Sequence, residues 1–247
     1  MIVVADRGEL RLVTQPDHAR FGAQLLALWR DPELRLHPRR ERLITAVREH
    51  DNGWHEADAA PRISRTTGRP HDFRSLPDEQ RRELWRRGIG RFAEEAPYVA
   101  LLIAEHSRQI HGSRHAEPGW GPFLDELAER REELLEAAGL AAADLAADYR
   151  WLELADSLSL AVCCRSPTPV VDARLTARQG AGELELDPFP LAGATTFEIP
   201  CRHIADRRYR GEADLASALG TARWTRMPVR CRPPSDTATA QRRPDGP

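Results

Sequence analysis

His50 and Asp51 close the apolar run Leu43-Ile44-Thr45-Ala46-Val47, and Asp156 interrupts the apolar stretch from Trp151 to Leu160. An ionised carboxylate in an apolar interior is too costly to leave unpaired, so each of these positions calls for a cationic partner or a metal ion. Two more positions repeat the conflict. His18 shares a helical stripe with Phe21, Gly22, Leu25 and Trp29, and His106 follows Val99, Leu102 and Ile103 at helical spacing. Separate helices that each offer an imidazole or a carboxylate to one core are how helical bundles build metal sites. Taken singly, each position also has a plainer reading: a hydrogen-bonded core histidine, a helix cap, or the ion-pair partner of one of many arginines.

The order of these groups along the chain is more specific than any one of them. A histidine at a helix start, an adjacent His50-Asp51, a later histidine, and Asp156 in the context Ala155-Asp156-Ser157-Leu158-Ser159 together resemble the HD superfamily of metal-dependent phosphohydrolases. Thr14-Gln15-Pro16-Asp17-His18, His50-Asp51-Asn52-Gly53-Trp54, Trp85-Arg86-Arg87-Gly88-Ile89, Ala104-Glu105-His106 and Asp156 to Cys164 resemble more closely the bacterial family called domain of unknown function 3891. The resemblance implies a mainly α, HD-like helical bundle with His18, His50, Asp51 and Asp156 as metal ligands. Two imidazoles with two carboxylates suit one or two divalent transition ions, Mn, Fe, Zn, Co or Ni. His106 is then a base or a ligand to a second ion, and His111, near a helix end, a candidate proton donor.

One departure from the HD pattern bears on the substrate. Many HD hydrolases follow the doublet with Gly and Lys, whereas this chain reads Asn52-Gly53-Trp54-His55 and has no lysine at all. Schiff-base chemistry and a Walker A loop are thereby excluded. Contact with a small anionic substrate, phosphorylated under this reading, falls to arginine, whose guanidinium matches phosphate geometry. Arg62, Arg69 and Arg108 are the candidates. Two alternatives stay open: HD-like proteins that hold two irons and oxidise small polyols or phosphonates, and a non-catalytic sensing or structural domain whose metal only ties helices together.

Composition narrows the setting. With 36 basic against 38 acidic residues the formal net charge is −2, and no concentrated basic face marks a nucleic-acid surface. No apolar run reaches the length of a membrane span, and the N-terminus lacks the form of a signal peptide. A cytoplasmic protein with no nucleic-acid or membrane partner is expected; its oligomeric state is left open. Four cysteines without Cys-x-x-Cys spacing read as reduced, buried thiols.

The elements that must position these residues follow from pattern. Ile2–Val4 and Leu10–Thr14 form a hairpin across Asp6-Arg7-Gly8-Glu9. Asp17 is a candidate cap for a helix from His18 to Trp29; Pro38 opens the next, which Asn52-Gly53 stops. Residues 53–77 read as a long irregular loop, a candidate lid or substrate wall carrying Arg62 and Arg69. Helices resume over 78–95, 98–111, 122–138 and 141–164. Beyond the breaker cluster Ser166-Pro167-Thr168-Pro169, short strand-like pieces and one helix make up a small β-rich appendage over 166–232, which the hairpin is free to join, and 233–247 is expected to be disordered. The domain reading is thus a helical unit over 1–165, the appendage, and the tail.

Overall fold

The structure is a computed structural model and describes residues 1–235, so the tail expected to be disordered lies outside the described residues from 236 onward. The chain begins with strands β1 (Ile2–Asp6) and β2 (Glu9–Val13), then helices α1 (Gln15–Ala27), α2 (Pro32–Arg35), α3 (Arg40–Glu49) and α4 (His55–Ala59). Four long helices follow: α5 (Asp78–Gly90), α6 (Pro97–His111), α7 (Trp120–Ala138) and α8 (Ala142–Cys163). The remainder is β3 (Val170–Val171), β4 (Thr176–Gly180), β5 (Glu183–Asp187), β6 (Thr195–Ala205), α9 (Glu212–Thr221) and β7 (Trp224–Arg232).

The sheet overturns the expectation of a mainly α, HD-like bundle with a small β appendage. Among the described residues all the strands join in one seven-stranded sheet, in the order β1-β2-β6-β7-β5-β4-β3, and those residues are 51% helix and 19% strand. Every pairing is antiparallel except the parallel contact of β5 with β7. Helices and sheet share a single core in which Phe21, Leu25, Trp151 and Leu158 lie with Leu184, Leu186, Phe197, Ile199 and Val229. Phe21 of α1 meets Phe197 of β6 edge to face, with ring centroids 5.5 Å apart. The sheet is therefore the surface against which the helices bury their apolar faces, not an appendage to them. A second cluster, Leu10, Leu12, Ile204, Tyr209, Leu215 and Leu219, seats α9. Sequence pattern divides β6 at Pro200, yet the strand runs through it, because from Thr195 to Cys201 it has only β7 as a neighbour and gains β2 from Arg202 onward. A missing N–H on the unpaired side breaks no ladder bond.

Local chemistry sets the helices that carry the site. Thr14 caps α1, its hydroxyl accepting from the Asp17 amide, with Pro16 in the first turn. Buried Asp148 on α8 is the anchor of three elements, since it accepts from Arg39 Nε at 2.8 Å and from the Tyr98 hydroxyl at 2.7 Å and pairs with His37 at 2.8 Å. The expected irregular loop of 53–77 is partly ordered: α4, a bridge between Ile63 and Pro70, and a 3-10 turn over Phe73–Ser75.

Two glycines allow the approaches that the site needs. A Cβ on Gly22 would lie 3.0 Å from the Ala155 carbonyl oxygen, so α1 and α8 are in near backbone contact one residue from Asp156. A Cβ on Gly53 would lie 2.1 Å from the Leu84 carbonyl oxygen, which presses the turn Asn52–Trp54 onto α5. Gly53→Ala must push these apart and is expected to lower unfolding free energy by about 1–3 kcal/mol, the usual range for overpacking. Urea unfolding checks this; a change under about 0.5 kcal/mol, the level of neutral surface substitutions, would contradict the described approach.

Candidate metal centre

The sequence-predicted ligands converge. His18 comes from the first turns of α1, His50 and Asp51 from the end of α3, His106 from α6 and Asp156 from α8. His18 Nε2 lies 2.8 Å from Asp51 Oδ2, and His50 Nε2 lies 3.6 Å from Asp51 Oδ2 and 3.3 Å from Asp156 Oδ1. His106 Nε2 stands 3.9 Å from Asp156 Oδ2. Two overlapping groups, His18/His50/Asp51 and His50/His106/Asp156, each bring one ligand atom per residue within 4.8 Å of the others. All three imidazoles are buried, His18 completely.

Hydrogen bonds behind the rings fix which nitrogen faces inward. His50 Nδ1 is 2.8 Å from the Val47 carbonyl oxygen, which can only accept, so Nδ1 carries the proton and donates it. Nε2 is left as a buried nitrogen without a hydrogen-bond partner. The Ser159 hydroxyl donates to the Asp156 backbone carbonyl at 2.9 Å, and its oxygen therefore accepts from His18 Nδ1, also at 2.9 Å. His18 Nε2 stands 2.8 Å from Asp51 Oδ2, hydrogen-bond distance from a carboxylate that can only accept. His50 Nε2 thus faces two carboxylates that can only accept, an arrangement that repels itself unless a proton or a cation stands between them. Metal-binding histidines are oriented in this way, with the outer N–H held by a backbone or side-chain acceptor. The donor set therefore fits a divalent ion.

Without an ion, a proton takes that role. Burial opposes the charged form of His50, but Asp51 and Asp156 outweigh it and its pKa is pushed up to about 9. Burial likewise opposes charge on Asp51 and Asp156, and the histidines nonetheless hold both carboxyl groups below the usual range. Burial drives His106 down to about 4, so it is neutral near pH 7. Its Nδ1 is 3.2 Å from the buried Tyr149 hydroxyl.

Asp51, His106 and Asp156 also floor a cavity of about 210 Å³. Trp54, Phe73 and Trp85 wall it, with Gln15, Arg74 and Arg81 as further polar lining. His111 faces the same cavity but belongs to neither ligand group. Its Nε2 accepts from the Trp85 indole N–H at 3.0 Å, and burial, with Arg81 and Arg114 nearby, brings its pKa to about 3. That nitrogen holds a wall and has no proton to give.

Arg62, Arg69 and Arg108 do not line this cavity. Arg62 lies 3.8 Å from Glu212, Arg69 pairs with Asp206 at 2.6 Å, and Arg108 with Glu105 at 2.6 Å. The arginines that do line it, Arg74 and Arg81, were both within reach of sequence reasoning. Arg74 follows Phe73 in the loop already marked as a wall, and Arg81 sits four residues before Trp85, hence on the same helix face. Gln15 is set by Thr14-Gln15-Pro16, and its backbone amide donates to buried Asp58 at 2.6 Å.

The family model described as a protein of unknown function (DUF3891) matches residues 1–206, and the chain belongs to that family. No curated protein and no solved structure matches it. No helix of the described residues is long and apolar enough to cross a membrane.

The proton on His50 gives a pH dependence with a definite sign. Its pKa in the folded, ion-free protein, about 9, lies above its ordinary 6.5, so its stabilising effect is complete below 6.5 and lost as pH rises through 9. The chelated protein is expected to lose urea resistance across that window, and a saturating divalent ion to flatten the loss. Ion uptake near pH 7.5 should release about one proton, read by titration calorimetry in buffers of different ionisation enthalpy. Uptake without proton release would contradict the assignment of His50 Nε2 to the ion.

Proposed function

We propose that the chain is a metal-dependent hydrolase of a phosphate ester or phosphoanhydride. The observation that carries this reading is the partnerless imidazole nitrogen of His50, turned together with His18 Nε2 toward Asp51 and Asp156 beneath an arginine-lined cavity. His18, His50, Asp51 and Asp156 would hold the ion, with Mn, Fe, Co, Ni or Zn suited to two imidazoles and two carboxylates. Such an ion supplies positive charge to phosphoryl oxygens and acidifies water at neutral pH.

The chain's own groups supply the rest. Ser159 and the Val47 carbonyl hold the two ligating rings in one orientation. Neutral His106, on the cavity floor, is placed to take or return a proton. Two carboxylates just balance a divalent ion, so the attraction of a small anion falls to Arg74 and Arg81. His111 acts at one remove by anchoring Trp85. An oxidative reading with two irons would need both ligand groups filled together; each requires His50, and only its Nε2 is free. That competition favours one fully ligated ion and hydrolysis.

Asp156→Asn keeps the side-chain shape while removing a ligand charge. It is expected to retain less than about a tenth of the wild-type metal and to lose phosphatase activity, whereas His111→Ala should keep its metal. Elemental analysis of protein purified without chelator, with a screen of phosphate esters, reads both. Full metal occupancy in Asp156→Asn would sink the proposal.

A further inference from the structure

Building on phosphoryl chemistry at this same site, we infer that the substrate is a phosphate monoester of a compact aromatic alcohol, its ring held between Trp54, Phe73 and Trp85. The cavity has two kinds of surface. On its floor and rim lie Asp51, Asp156, His106 and the arginines; the rest is ring and aliphatic carbon from the three aromatic residues, Ile110 and Leu160. Trp54 and Trp85 are each 6% exposed, so their place in the lining is fixed by packing and needs no rearrangement.

The polar atoms left unmatched say what the charged end requires. Among the groups lining the cavity, Arg81 Nε and Gln15 Oε1 are buried without a hydrogen-bond partner. The other arm of Arg81 is already spent: Nη2 donates to the carbonyls of Phe73, Arg74 and Leu76 at 3.0–3.3 Å, which holds the guanidinium in place and leaves Nε for a ligand. An unmatched donor and an unmatched acceptor among the lining residues of one cavity suit a phosphate monoester monoanion, which carries acceptor oxygens and one hydroxyl.

The organic end is decided by what the walls lack. A sugar, polyol or nucleoside would bring several hydroxyl groups, each needing a partner once buried. Beyond the groups assigned to the phosphoryl end, the walls add only the His111 ring and the Trp54 indole N–H, too few partners for several hydroxyls. A planar apolar ring requires no partner and packs favourably against three aromatic residues. A volume of about 210 Å³ holds a phosphoryl group with one ring, not a dinucleotide or a long chain.

Non-hydrolysable phosphonates test this without relying on turnover. The full-length protein, equilibrated with Mn²⁺, is titrated with inorganic phosphate, methylphosphonate and phenylphosphonate, with binding followed by calorimetry and by tryptophan fluorescence. Phenylphosphonate is expected to bind at least about tenfold tighter than methylphosphonate and to quench the fluorescence more strongly. Trp54→Ala and the half-buried Phe73→Ala should each erase much of that gain while leaving phosphate affinity within about twofold; using both guards against a variant that fails to fold. Equal affinity for the two phosphonates would overturn the aromatic specificity and leave the phosphohydrolase reading standing. Failure of all three anions to bind the Mn²⁺-loaded protein would overturn that reading as well.

Discussion

Two carboxylates, Asp51 and Asp156, face the inward nitrogens of two buried imidazoles, and the rest of the structure is arranged around that contact. In water such groups would be solvated separately. In the interior they are tolerable only while positive charge sits between them, a proton on His50 or an ion in its place. The hydrogen bonds from His50 Nδ1 to Val47 and from His18 Nδ1 to Ser159 remove the alternative of turning the two Nε2 atoms away.

Holding five side chains from four helices to hydrogen-bond precision demands a rigid frame, and α8 shows how it is made. Asp156 lies between two clamps on the same helix. On one side, Asp148 ties α8 to Arg39, His37 and Tyr98, which brings in the approach to α3 and the start of α6. On the other, buried Arg11 of β2 donates to the Cys163 carbonyl at 2.8 Å, a favourable placement of a cation at a helix C-terminus. Between the clamps, Gly22 lets α1 come within backbone distance of Ala155, so His18 reaches Asp51 while its ring also touches Ser159. The sheet thereby enters the site indirectly: it supplies Arg11 and the Phe197 contact that seats α1.

The site was legible in the sequence because its residues break a strong local rule. A histidine or an aspartate on an otherwise apolar helical stripe stands out without any knowledge of tertiary structure, and His18, His50, Asp51, His106 and Asp156 all announced themselves that way. The DUF3891 family was legible from the same motifs. Arg74 and Arg81 were missed although their spacing to Phe73 and Trp85 offered a signal, since an arginine lining a cavity obeys the same polar pattern as one in solvent. The sheet was misjudged for a different reason. Alternation marks a strand but not its neighbours, and only the partners of β6 show that the hairpin at one end of the chain and the strands at the other form a single layer. Pro200 made this worse, because its place in a half-paired strand cannot be told from a true break.

The aromatic walls and the buried charges belong to one design. Three rings line the cavity beside the carboxylates, and a low local dielectric would strengthen both their hold on a cation and the pull of Arg81 on an anion. The same low dielectric would raise the penalty for any ligand polar group that finds no partner. Under the proposed reading, selectivity for an apolar organic group would follow from the same walls, which offer few partners to a buried hydroxyl.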